Sequence, residues 1–192
     1  MASSRSPFLS SEQYLELDSR AELPSEYYDG VMYPIEATTF RHGDIQMNTS
    51  RVVQLALLDS PCRAKGPTIR VKLPNQRYAY PDLFVVCGKI EREDKKYDTA
   101  LNPVVIFEVL SPSTGDFDRG GKADSYRAMP SVREYVIIAQ ESLFLQRYSR
   151  QDAGKWLLET FDSIDAILRL ESIGIEVPLS EIYRGVEFDS AE

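Results

Sequence analysis

The sequence predicts an α/β domain in which a mixed central β-sheet is flanked by helices. Three observations carry this. Apolar residues recur at helical spacing near the front of the chain, between His42 and Leu58. The centre and second half are dominated by short apolar or alternating runs of strand length, with VVIFEVL (Val104–Leu110) apolar on both sides of its pleat. One helical segment, Asp118–Met129, then separates that run from the next strand, as a crossover connection does.

Each element has its local reason. Ser10 or Ser11 opens a short helix: Ser10 and Gln13 have capping-box spacing, and Tyr14, Leu15 and Leu17 supply an apolar side. EYYDGVMYPIEA reads as two short strands about a turn at Asp29-Gly30. Ile45, Thr49, Val52, Val53 and Ala56 give the second helix its buried stripe. IRVKL (Ile69–Leu73) and YAYPDLFVVC (Tyr78–Cys87) read as strands, broken by GPT, PN and the charged EREDKK. Val104–Leu110 is a buried central strand that Ser111-Pro112 stops. The helix over Asp118–Met129 is weakened by Gly120 and Gly121 and ended by Pro130. Glu134–Ala139, Leu143–Ser149 and Lys155–Phe161 add strands. An edge-like stretch, Ile167–Val177, and a helical turn around Leu179–Tyr183 complete the chain.

The length of 192 residues suits a single domain across 1–192, with no repeat, low-complexity tract or linker dividing it. Hydrophobic residues at 43% and charged residues at 27% exclude a disordered, collagenous or coiled-coil chain. No apolar run approaches the roughly 18–20 residues that span a bilayer, and the opening MASSRSPFLSSEQYL lacks the apolar core of a signal peptide. Cys62 and Cys87 have neither metal-site spacing nor a dense disulfide pattern, so the expectation is two buried, reduced thiols in a cytoplasmic protein.

The net charge of −8 does not exclude nucleic acid, because it is unevenly spread. From Glu159 to Glu192 there are nine acidic and two basic residues, and the body of the chain is nearly neutral. Between Asp59 and Asp82 no acid occurs, while Arg63, Lys65, Arg70, Lys72 and Arg77 do. Solvent screens charges beyond about 8–10 Å, so such a patch attracts phosphate locally. A solvated strand face is the other reading of the same residues.

Two carboxylates stand where strands should be apolar. Glu108 lies inside VVIFEVL, and burying a carboxylate is costly unless it is paired, protonated or bound to a metal. It stays cheap if it sits at an exposed strand end. Asp82 is framed by Tyr80, Leu83, Phe84, Val85 and Val86, and Pro81 beside it cannot donate to a ladder, which marks an edge or a bulge. Two carboxylates on adjacent strands form a hard-oxygen site suited to Mg²⁺ or Mn²⁺. One His and two Cys offer no zinc cluster, and neither a P-loop nor GxGxxG is present.

Pro81-Asp82 followed after 25 residues by Glu108-Val109-Leu110 resembles the PD-(D/E)xK nuclease superfamily. EYYDG, His42 opening a helix, YPDLFVVC, NPVVIFEVLSPSTGDFDRGGKADSYR, VREYVIIA and GIEVPLSEIY together resemble the Uma family of restriction-endonuclease-like proteins, from about Glu12 to Glu187. The resemblance implies a restriction-endonuclease-like fold and a metal-dependent endonuclease, with nucleic acid, DNA first, as substrate. The superfamily lysine belongs two residues after the glutamate, where Leu110 stands; the family pattern displaces it to the following helix, at Lys122. Asp82, Glu108 and the Val109 carbonyl would then hold Mg²⁺ or Mn²⁺. Lys122 would orient water or stabilise the transition state, and Glu26 matches the acidic residue of the superfamily's N-terminal element, an exposed glutamate being its alternative.

Around that implied centre, Arg119 and Arg127 would clamp phosphate or simply pair with Asp116, Asp118 or Asp124, and His42 would contact phosphate or serve as a capping histidine. Tyr126 reads as core. A homodimer is expected because superfamily nucleases that cut duplexes often pair. The competing reading is a catalytically degenerate module that binds nucleic acid or protein; an acidic protein-binding scaffold is a third.

Overall fold

The chain folds around two larger β-sheets, between which it passes repeatedly, and a two-stranded hairpin; the candidate site lies where the larger sheets meet. This computed structural model describes residues 8–35, 37–93, 95–110 and 121–188. Helix α1 (Ser11–Asp18) begins with the Ser10–Gln13 capping box. Strands β1 (Ser25–Tyr28) and β2 (Val31–Pro34) form a hairpin whose turn places Asp29 and Gly30 at φ 51° and 89°. Those paired positive values are what an Asp-Gly hairpin turn requires. Phe8 lies so close to Gly30 that a Cβ there would come within 2.6 Å of its ring.

Helix α2 (Phe40–Ala56) is capped by Thr39, whose hydroxyl accepts the His42 N–H at 3.1 Å. Its buried positions, His42, Ile45, Thr49 and Val53, follow helical spacing. Then come β3 (Cys62–Lys65), β4 (Arg70–Leu73), β5 (Arg77–Ala79), β6 (Leu83–Cys87), the short β7 (Thr99–Ala100) and β8 (Val105–Leu110). Helix α3 (Ala123–Ala128) precedes β9 (Glu134–Ala139), β10 (Leu145–Arg150) and β11 (Trp156–Phe161). The hairpin β12 (Ile167–Leu170) and β13 (Ile175–Pro178) leads into α4 (Leu179–Ile182).

The larger sheet has the order β11-β10-β9-β8-β6-β3, mixed because β8 and β9 run parallel. The smaller has the order β2-β1-β5-β4-β7. Residues of β8 alternate between two cores. Val105, Phe107 and Val109 meet α2, the β12–β13 hairpin and α4, whereas Ile106 and Leu110 meet α3 and the five-stranded sheet. On the far side of that smaller sheet, Tyr27 and Tyr78 pack with Tyr14 and Leu15 of α1.

Three expectations change. YAYPDLFVVC is not one bulged strand: β5 belongs to the smaller sheet and β6 to the larger, with Tyr80-Pro81-Asp82 carrying the chain across. The missing Pro81 N–H explains why no ladder runs through the junction. Ile167–Val177 is a two-stranded hairpin rather than an edge. Cys62 and Cys87 are not free thiols: they face each other in the β3–β6 register and are disulfide-bonded. The reason is that Cys62–Lys65, assigned to no element from the sequence, is a strand whose register sets Cys62 against Cys87. The stretch from Ser111 to Gly120, including Arg119, lies outside the described residues.

Candidate active site

Three segments, β1, β8 and the residue before α3, deliver charged side chains to one buried point. Glu108, on β8, shares a face with Ile106 and Leu110 and so faces α3, where only 4% of it is exposed. Lys122, immediately before α3, is equally buried at 5%. Its ammonium lies 2.9 Å from Glu108 Oε1 and 2.9 Å from Oε1 of Glu26 on β1. One cation thus joins a carboxylate from each sheet. Such a cluster is tolerable at this depth because the ammonium compensates both carboxylates through short charge-assisted hydrogen bonds.

Backbone and hydroxyl donors complete the arrangement. The Tyr80 N–H donates to Glu26 Oε1 at 3.1 Å, and Tyr126, one turn beyond Lys122, donates its hydroxyl to Glu108 Oε1 at 2.8 Å. Burial, reinforced by the Glu108 charge, pushes the Tyr126 hydroxyl well above the ordinary tyrosine range, so it remains a donor. Tyr126 is therefore a core residue with a polar task, which its apolar spacing alone conceals.

Asp82 sits one residue before β6. Leu83 pairs with Phe107, so continuing the antiparallel register by one step sets Asp82 opposite Glu108. Asp82 Oδ2 accepts the Val109 N–H at 2.7 Å, which fastens it to the residue next to Glu108. Its Oδ1 takes two donors from α2: the Gln46 side-chain amide at 2.8 Å and His42 Nε2 at 3.1 Å. His42 is buried against Asp82, and its ring does not face solvent. That position supplies no direct contact with a polynucleotide phosphate. Gln46 has no signal in the sequence, because a polar residue on a partly exposed helix face is ordinary.

Arg127 does not join the carboxylates. It pairs with Asp124 at 2.5 Å and lies 4.9 Å over the Tyr148 ring. The acid-free stretch is likewise mostly neutralised by distant acids: Arg70 pairs with Asp18, Lys72 with Glu93 and Arg77 with Asp29. The solvated-face reading fits Lys72 and Arg77, whereas Arg70 and Asp18 are buried.

Metal fit follows from the donor chemistry. Among the described residues, no group of three or more His, Cys, Asp or Glu side chains is placed to hold an ion. Asp82, just before β6, and Glu108, on β8, carry hard oxygens of the kind taken by an ion that binds one or two carboxylates and fills its remaining positions with water and phosphate oxygens.

The comparisons agree with this architecture. A family model described as "Uma2: Putative restriction endonuclease" matches residues 11–180. A protein of Synechocystis is 32% identical over 183 residues, covering 95% of each chain, and a second from the same organism is 29% identical over 151 residues, covering 78% of this chain and 85% of its own. A crystal structure titled as a "putative nuclease" of Anabaena variabilis superposes with a TM-score of 0.75 at 18% identity, covering 91% of this chain and 97% of the other. That likeness shows the fold, and no helix among the described residues is long and apolar enough to cross a membrane. On the family match, the chain belongs to the Uma2 family of restriction-endonuclease-like proteins.

Proposed function

We propose that this protein is a Mg²⁺- or Mn²⁺-dependent endonuclease that hydrolyses phosphodiester bonds, with DNA as the first substrate to test. The observation that carries the reading is the buried Lys122 ammonium shared by Glu26 and Glu108, with Asp82 one step beyond the β6–β8 register, opposite Glu108. It supplies, from the helix, the positive charge missing at Leu110. Asp82 and Glu108, with the Val109 carbonyl, would hold the ion. When bound, the ion lowers the pKa of water and offsets charge on the phosphate.

The chain's own residues account for the rest. Lys122 is a compact donor fixed in a site of low dielectric, where it stabilises negative charge on the reacting phosphate more effectively than in water. Glu26 holds that ammonium from the opposite sheet, and the Tyr80 N–H holds Glu26. Tyr126 orients Glu108. A homodimer, with one site per copy, would allow both strands of a duplex to be cut.

The test is cleavage of supercoiled plasmid and of a single-stranded oligonucleotide in Mg²⁺ and in Mn²⁺, comparing wild type with Asp82→Asn, Glu108→Gln and Lys122→Ala. Metal-dependent cleavage lost in all three variants is the expected result. Equal activity in wild type and Glu108→Gln overturns the assignment. Nucleic-acid binding without cleavage supports the degenerate-module reading. Sedimentation at micromolar concentration tests the dimer; a species of 21.8 kDa alone counts against it.

A further inference from the structure

We infer that Gln46, assisted by His42, is a positioning residue that makes Asp82 a one-oxygen ligand; this rests on the metal-dependent reading above. An ionised carboxylate has about four lone-pair directions, two on each oxygen. On Asp82 Oδ1 both are occupied, one by the Gln46 amide at 2.8 Å and one by His42 Nε2 at 3.1 Å. On Oδ2 one is occupied by the Val109 N–H at 2.7 Å. A single lone-pair direction is left, on Oδ2, so Asp82 can give an ion one bond and not a bidentate grip.

The donor assignments are forced by chemistry. A carboxylate only accepts, so the Gln46 atom facing it is the amide nitrogen and His42 Nε2 carries the hydrogen. His42 Nδ1 is buried with no hydrogen-bond partner among the described residues. Helical spacing explains why these two residues act together: positions 42 and 46 are one turn apart and project from the same face of α2. Ile45, Thr49 and Val53 bury an adjacent stripe of the helix in the core, so the donors sit on a rigid element rather than on a loop. The Thr39 cap fixes the same first turn through the His42 N–H. Among the described residues Gln46 hydrogen-bonds to Asp82, and its effect on the site passes through Asp82.

The experiment is a Mn²⁺ titration followed by electron paramagnetic resonance of the free ion, with no nucleic acid present. Wild type, Asp82→Ala, Gln46→Ala, Gln46→Met and the exposed neighbour variant Met47→Ala are compared, each with its thermal midpoint. Removing the donor from a ligating carboxylate typically weakens metal binding by about 10–100-fold. Gln46→Ala and Gln46→Met are expected to show that loss with midpoints close to wild type, while Met47→Ala binds as wild type does. In plasmid nicking the Gln46 variants should need more Mn²⁺ but recover turnover at saturation, a split that a purely structural defect does not produce. Wild-type Mn²⁺ affinity in both Gln46 variants, with Asp82→Ala impaired, overturns the positioning role and leaves the nuclease reading standing. A loss that tracks a large fall in midpoint also overturns it. Absence of Mn²⁺ binding by wild type overturns the metal reading and this inference together.

Discussion

Lys122 holds two carboxylates that would otherwise repel each other in a site with little water, so its removal acts on stability as well as on chemistry. Breaking a buried ion pair by deleting one partner costs about 3–5 kcal/mol. Lys122→Met is therefore expected to lower the urea midpoint of the metal-free protein markedly, and Mg²⁺ should restore part of the loss. Nicking activity should fall by roughly 10²–10³-fold, the scale of one preorganised donor. Lys122→Arg should rescue little, because a planar fork does not fit a point-charge position between Glu26 and Glu108. At this scale the sequence was readable wherever a residue type violated its surroundings. Glu108 inside an apolar strand and Asp82 beside Pro81 were such violations. Gln46 was not, since glutamine on a helix face breaks no local rule and its partner lies 36 residues away. Nor did the Lys122 position follow from spacing; it came from resemblance to the family pattern.

Among the elements, α1 is fastened more firmly than its length of eight residues suggests. Its last residue, Asp18, receives the Ser25 N–H at 2.7 Å, the Arg70 guanidinium and the Tyr80 hydroxyl, all in a buried setting. Arg70 also faces the rings of Tyr14, Tyr78, Tyr80 and Tyr97. This cluster sets Ser25 and Tyr80, the neighbours that fix Glu26. Arg70→Met is expected to destabilise the protein by about 3–5 kcal/mol in urea unfolding, because Asp18 is left buried without its cation. The Cys62–Cys87 disulfide closes a loop of sequence separation 25 and ties edge strand β3 to β6; its reduction should cost about 3–4 kcal/mol, read as a lower thermal midpoint in dithiothreitol. The capping box and the Asp29-Gly30 turn were legible because their signals lie within four residues. Assigning β5 and β6 to different sheets was not, because a one-dimensional apolar run carries no record of which neighbour each half will find.

For the molecule as a whole, acid stability should carry the mark of Glu134. Burial raises its carboxyl above the usual glutamate range, opposed by the Ser172 hydroxyl and N–H and by Arg147. A raised carboxyl pKa means that the folded state binds more protons than the unfolded chain between the two values. The resulting stabilisation is complete below the unfolded value near 4.5 and is lost as pH rises through the folded one. Glu134→Gln should flatten that part of the stability curve in pH-dependent urea titrations, and an unchanged slope would show that other groups set it. The fold class was legible at this scale because alternating apolar runs and one crossing helix leave few topologies; the division into two sheets was not. That division has a consequence through Tyr80-Pro81-Asp82. Glu26 arrives with the smaller sheet, Glu108 with the larger, and the crossing itself brings Asp82. Neither half can be transplanted with its chemistry. A chimera that takes residues 8–80 from a relative imports Glu26 and the Tyr80 amide together, yet must meet a foreign Lys122, so hybrids will be active only where the two halves dock as parents do.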